Sequence, residues 1–151
     1  MSQVNSPSDS SEGLKAPQPN IKTQLLDADG NVCYYIGQPI GQCGFASCYK
    51  ATLASNGQTL CCKAIWKPKQ CYSYIEQWIC SEFETLKKMN HPNVVKYHSS
   101  MQVEEYMYIF MELCPLGSLQ QLLSHRKTLT EPETRFYMLQ LLDTVEHFKE
   151  N

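Results

Sequence analysis

The chain has 151 residues, the length of one domain of ordinary size and too short for two. Apolar residues make up 42% and charged residues 19%, and 13 basic against 15 acidic side chains leave a formal charge of −2. That balance excludes a disordered acidic chain and gives no general field for capturing nucleic acid or an anionic membrane surface.

Apolar runs of a few residues fall far short of the ~20 that cross a bilayer, and no basic segment followed by an apolar core opens the sequence. No nucleic acid and no membrane are expected as partners, and the cytoplasm or nucleus is the expected location. The eight cysteines are then read as reduced thiols. They contain no C-x-x-C and no His at zinc spacing, so no metal site is expected.

Residues 1–20 hold five Ser and three Pro and no aromatic, too little apolar surface to offset the entropy of ordering. The whole of 1–33 is read as a flexible N-terminal tail. Ser6-Pro7 reads equally as a phosphorylation site or an unmodified linker. DADGN at 27–31 has the outline of a calcium loop. Setting Gly30 at its sixth position, however, puts Leu25 first and Ile36 twelfth, where carboxylates are needed, so the stretch is an Asp-Gly turn.

From Cys33 onward, β-branched and aromatic runs separated by turns predict five strands at 33–41, 45–53, 59–66, 94–102 and 106–113. Ser55-Asn56-Gly57 and Glu104-Glu105 are short connections without room for a crossover, so the sheet should be antiparallel. One helix is expected at about 72–89, a short one near 118–124 and a long one from 131 onward. Thr130 and Glu133 form a capping box for the last, with Pro132 in its first turn. The fold class is α+β.

Strand one runs through Ile40-Gly41-Gln42-Cys43-Gly44-Phe45-Ala46 into Cys48. Small residues between two strands let backbone amides approach phosphate oxygens, although alone the pattern fits a plain hairpin. Lys63 lies in a strand otherwise apolar from Leu60 to Trp66 and needs a partner there. On the helix at 72–89, Ile75, Trp78, Ile79, Leu86 and Met89 fall within roughly 60° of Glu82, whereas Glu76, Glu84, Lys87 and Lys88 lie off that arc. A carboxylate in mid-stripe is costly unless paired, so Lys63 and Glu82 are expected to meet. The alternative is that both snorkel to water.

The small-residue hairpin, strand lysine, helix glutamate, His91-Pro92-Asn93 and the strand ending Met111-Glu112-Leu113-Cys114 together resemble the N-terminal lobe of a protein kinase over about residues 34–151. The resemblance is to the polo-like serine/threonine kinases. It rests on Gly44-Phe45-Ala46, Cys48-Tyr49, Glu112-Leu113-Cys114, Ser118-Leu119 and Leu129-Thr130-Glu131-Pro132-Glu133 with Arg135 and Tyr137.

The likeness implies an N-lobe at 34–113 of five antiparallel strands and one long helix, a hinge at 114–117, and the first two helices of an incomplete C-lobe at 118–151. It implies ATP as ligand, with Gly41 to Ala46 (Gly41, Gln42, Cys43, Gly44, Phe45, Ala46) over the phosphates. Lys63 would reach the α- and β-phosphates, oriented by Glu82. Ile40, Cys48, Cys61 and Met111 would line the adenine slot, with Met111 as gatekeeper and the backbone of Glu112 and Cys114 as the hinge. Cys43 departs from the expected glycine and is read as an inert small residue; Cys61 and Cys62 replace smaller ones.

The sequence holds neither H-R-D nor D-F-G, so the catalytic Asp and the magnesium ligands of such enzymes are absent. Its His125-Arg126 pair precedes the capped helix and reads as a basic loop or helix end. The expectation is an ATP-binding part of a polo-like kinase that stops before the catalytic loop, binds nucleotide weakly and is inactive alone. Mg2+ and protein substrates would belong to the complete enzyme, and the centrosome or spindle is implied by the family only. The alternative is a non-catalytic binding or competing module with a protein partner at helix 131–151, where Phe136, Leu139, Leu142, Val145 and Phe148 form an apolar face.

Overall fold

A computed structural model of the chain describes residues 23–43, 46–67, 81 and 83–150. Six strands form one antiparallel sheet: β1 (Gln24–Leu26), β2 (Val32–Cys43), β3 (Ala46–Leu53), β4 (Thr59–Trp66), β5 (Tyr97–Val103) and β6 (Tyr106–Met111), in the order β1-β2-β3-β4-β6-β5. Residues 83–88 are helical (α1) and are followed by α2 (Leu119–Arg126) and α3 (Glu131–Glu150).

The five expected strands are present, and β1 is an addition. Together with the start of β2 it occupies part of the stretch read as tail. Its apolar signal is a single inward residue, Leu25, which is only 1% exposed, and three residues are too few to show an alternation. The turn that returns the chain is the expected one. Asp27 Oδ1 accepts from the backbone N–H of Asp29 (3.0 Å) and Asn31 (2.8 Å), and Gly30 takes φ 84°, a conformation glycine adopts without steric cost.

The other two hairpins also follow the turn chemistry. Between β3 and β4, Gly57 has φ 75°, and Gln58 N–H donates to Asn56 Oδ1 (2.8 Å). Between β5 and β6, Glu104 takes φ 54°, tolerated at the tip of a two-residue turn.

The sheet has an apolar cluster on each face. One gathers Leu25, Tyr34, Ile36, Ala51, Leu60, Cys62, Ala64, Tyr108 and Phe110, with the Tyr34 and Phe110 rings stacked 3.6 Å apart. The other joins Ala46, Ile65 and Ile109 to Phe83 of α1, Tyr97, Met107 and Met111. On α1, Leu86 is half-buried while Glu84, Lys87 and Lys88 are exposed, as the periodicity predicted. Phe83 was not placed on the inward arc, yet it meets Tyr97 edge-on at 5.4 Å.

Ser118 caps α2: its hydroxyl accepts from Gln121 N–H (3.2 Å), and its own N–H donates to Gln121 Oε1 (2.8 Å). His125 and Arg126 fall in the last turn of this helix, where cations suit the C-terminal dipole. At the start of α3, Glu133 Oε2 accepts from both the N–H (2.9 Å) and the hydroxyl (2.8 Å) of Thr130, and Arg126 grips the same carboxylate with two bonds.

Helix α3 is tied to the loop before β5. His91, 9% exposed, places Nε2 3.2 Å from Asp143 Oδ2. Asn93 Nδ2 donates to Gln140 O (3.3 Å) and Asp143 Oδ2 (3.2 Å). Along α3, Phe136, Leu139, Leu142, Val145 and Phe148 are all exposed.

Candidate functional site

A cleft of about 870 Å³ lies between the sheet and the segment leading into α2. Two irregularities in the β2–β3 ladder build its roof. Ile36 pairs with Ala51, but extra residues shift the register so that Pro39 meets Tyr49 and Gly41 meets Cys48. Such bulges re-aim the side chains of a strand, and here Ile40 and Gly41 come to line the cleft. A Cβ added at Gly41 would meet nothing within 4 Å, so nothing inside the chain requires glycine at this point.

Ile40, Cys48, Cys61 and Met111, expected in the slot, Gly41, expected in the phosphate loop, and Glu112 and Cys114, expected at the hinge, all line this one cleft. Residues 115–117 of the expected hinge also line it, and Lys50, Val95, Leu113, Ser118, Gln120 and Gln121, which were not predicted, complete the wall. Lys50 could have been found, because it is two residues from Cys48 on the same face of β3.

Gln42 pairs with Ser47 beyond the cleft. Ala46 is buried in the cluster with Ile65 and Ile109, so it serves packing. Gly44, Phe45 and the side chain of Cys43 lie outside the described residues, as does Glu82, and with it the expected Lys63–Glu82 contact. So do most of the helix expected at 72–89 and residues 1–22.

Lys63 sits opposite Cys48 on β3 and Ile109 on β6. It lines a second cavity of about 530 Å³ with Ser81, Thr85, Leu86, Met89, Val94, Val95, Met111 and Phe148. Met111 and Val95 line both spaces, so Met111 stands between the cleft and the lysine.

The rim of the cleft at Glu112 is held by Lys96, the residue just before β5. Glu112 N–H donates to Lys96 O (2.9 Å), and Lys96 N–H donates to Glu112 Oε2 (3.2 Å). The N–H of Glu112 is therefore committed inside the chain. Its side-chain role was not predicted, because a hinge reading concerns only the backbone.

Two thiols line the floor. Cys48 is held down to about 7, chiefly by the neighbouring Cys61 thiol and further by the charge of Lys63, against the opposing effect of burial. Cys61 is pushed upward by its Cys48 neighbour and by burial. Cys62 points to the other face, where burial raises it to about 12.

A protein kinase domain model matches residues 34–151, the stretch that carries β2 to β6, the cleft and all three helices. The chain belongs to the protein kinase family. Among its relatives, the cell cycle serine/threonine-protein kinase CDC5/MSD2 of Saccharomyces cerevisiae is 33% identical over 88% of the chain and 18% of the relative. Serine/threonine-protein kinase plk-2 of Caenorhabditis elegans is 33% identical over 87% and 21%. Serine/threonine-protein kinase polo of Drosophila melanogaster is 28% identical over 87% and 23%. These relatives are polo-like kinases, as the motifs suggested, and the chain spans about a fifth of their length.

Proposed function

We propose that residues 34–151 are the nucleotide-holding part of a polo-like serine/threonine protein kinase, in which the cleft roofed by Ile40 and Gly41 receives the adenosine of ATP. The observation that carries this reading is the convergence of seven residues implied by the resemblance, from four strands and the segment after them, on one cleft. Ile40, Cys48, Cys61, Val95 and Met111 offer apolar and thiol surface to a flat ring, and the peptide edge from Glu112 to Cys114 offers polar backbone, the usual composition of a ligand slot. The open space at Gly41 lets a phosphate chain approach the backbone. Bound ATP would supply the transferable phosphoryl group.

Lys63, past Met111, is the cation placed to meet the α- and β-phosphates, and Glu82 is the residue proposed to orient it. Gln42, Cys43, Gly44, Phe45 and Ala46 complete the phosphate loop in this proposal. Among the described residues no three His, Cys, Asp or Glu side chains gather as a metal site, so Mg2+ is assigned no ligand here. Residues 1–151 contain no H-R-D or D-F-G, so binding without phosphoryl transfer is proposed for this chain, with protein substrates left to a complete enzyme. The same likeness favours the cytoplasm or nucleus, with the centrosome or spindle among the sites.

The test is titration of isotopically labelled 1–151 with Mg-ATP. Shifts at Gly41, Met111 and Cys114 at millimolar nucleotide, weakened in Lys63→Met, are expected. No shift in the cleft, or shifts elsewhere only, would refute the site. Time-dependent labelling of casein by the purified chain, lost in Lys63→Met, would overturn the inactivity.

A second reading rests on the exposed Phe136, Leu139 and Leu142 of α3: a non-catalytic module that docks a protein partner on this helix and competes with a full-length enzyme. Inhibition of such an enzyme by 1–151, abolished in Phe136→Ser/Leu139→Ser, would support it.

A further inference from the structure

The chain carries a pair of cysteines where β3 and β4 run side by side. Cys48 pairs with Lys63 and Lys50 with Cys61, so Cys48 and Cys61 are diagonal neighbours on one face of the ladder. Both are half-buried, both line the 870 Å³ cleft, and Cys48 lies directly across the ladder from Lys63. Peroxide entering the cleft therefore meets two thiols on one face of the ladder, one of them opposite a lysine on the neighbouring strand. Cys62, next in sequence, faces the opposite cluster and is fully buried, so it cannot substitute for Cys61.

We propose that Cys48 and Cys61 are a peroxide-responsive dithiol, with Cys48 oxidised first and Cys61 resolving it to a reversible disulfide. The Cys48 thiolate attacks one oxygen of hydrogen peroxide: an S–O bond forms, the O–O bond breaks, and hydroxide leaves. Cys48 is then a sulfenic acid. The Cys61 sulfur attacks it, the S–S bond forms, the S–O bond breaks, and the departing oxygen leaves as water with the Cys61 proton. In sum, two thiols are oxidised and one peroxide is reduced to two waters.

The register also divides the labour. Cys48, opposite Lys63, has its pKa lowered by the neighbouring Cys61 thiol and by the lysine charge, which makes it the first nucleophile. Set against an ordinary thiol about two units higher, the gain in thiolate at pH 7 is about 50-fold. The lower intrinsic nucleophilicity takes back roughly eightfold, leaving a rate advantage of about sixfold. Diagonal partners in an antiparallel ladder have Cα atoms ~7–8 Å apart, beyond the roughly 4.4–6.8 Å of relaxed disulfides. The bond must draw β3 and β4 together and is strained, which is the property of labile, regulatory disulfides.

The experiment treats reduced, folded 1–151 with stoichiometric hydrogen peroxide at pH 7 and follows it by intact mass and by fragment mapping of linked peptides. The expected product has lost two mass units, contains a Cys48–Cys61 link and is restored by thioredoxin. Cys61→Ser should stop at a Cys48 sulfenic acid, trapped by dimedone, and Cys48→Ser should lose the rapid phase, about a sixfold slowing. Circular dichroism of both variants before treatment shows whether they are folded, and the mapping on the unaltered chain stands whether or not they are. A link between any other pair, oxidation spread evenly over the eight thiols, or an unchanged rate in folded Cys48→Ser would overturn the assignment.

Discussion

His91 Nε2 lies 3.2 Å from Asp143 Oδ2, so the loop that leads into β5 is joined to the fourth turn of α3. The imidazole is 8% exposed and the carboxylate 62%, and the two ends of the contact therefore differ in value. His91 also accepts from Asn93 N–H through Nδ1 (3.2 Å), which fixes the loop as well as the helix. Truncation at His91 removes both bonds and leaves a void, a loss of about 1–3 kcal/mol. Asp143→Asn keeps an oxygen for Asn93 and gives up only a solvent-screened pair, about 0.5 kcal/mol. Urea unfolding should rank His91→Ala well below Asp143→Asn in midpoint; equal midpoints would contradict the arrangement.

Phe110 is fully buried and stacks on Tyr34, whose hydroxyl reaches Ser99 Oγ at 2.5 Å. Phe110→Ala should cost about 3–5 kcal/mol, a large part of the 5–15 kcal/mol typical of a domain, and should leave little folded protein. Tyr34→Phe keeps the stack and loses one hydrogen bond, about 1 kcal/mol. Thermal melts of the two variants separate ring packing from hydroxyl bonding.

Glu133 is held down to about 2, first by the Arg126 guanidinium and then by the N–H and hydroxyl of Thr130, from an ordinary 4.5. A depressed carboxyl stabilises the fold above its unfolded pKa and loses that contribution as pH falls through its folded pKa. The affected window is therefore about pH 4.5 down to about 2. The Glu133 side-chain carbon should titrate near the lower end in NMR spectra, and Arg126→Ala should raise its midpoint. An unshifted midpoint in the unaltered chain would show that the α2–α3 clasp is not populated.

Much of this fold was legible because turn chemistry and hydrophobic period agree. Asn56-Gly57 and Glu104-Glu105 set two hairpins, and Thr130 with Glu133 set the start of α3. What escaped has physical causes. β1 buries one residue, below the length at which a period exists. Phe83 lies about 100° from the centre of the apolar arc, yet an aromatic ring is long enough to reach Tyr97. Cys48 and Cys61 were both expected on the slot wall, but their diagonal placement follows from the β3–β4 register. The bulges that carry Gly41 opposite Cys48 have no sequence signature, because an extra residue in a ladder looks like any other strand residue. The pairing of His91 with Asp143 depends on how α3 packs, which no local pattern encodes.

Gly37 and Gly41 lie on the same strand without positive φ, and substitution should separate packing from ligand access. A Cβ at Gly37 would come within 3.1 Å of Lys50 O, a backbone atom of the adjoining strand that cannot swing aside. The strain of such overpacking, about 1–3 kcal/mol, outweighs the ~0.4–1 kcal/mol gained from a less flexible unfolded chain. Gly37→Ala should therefore lower the melting temperature. At Gly41 no neighbour opposes the methyl, so the entropic gain stands alone and Gly41→Ala should be slightly more stable. If ATP phosphates pass over this strand, the same methyl occupies their path, and nucleotide-induced stabilisation should shrink in Gly41→Ala while the unliganded melting temperature holds or rises. A Gly41→Ala chain that kept its full response to nucleotide would mean that Gly41 is only an ordinary strand glycine.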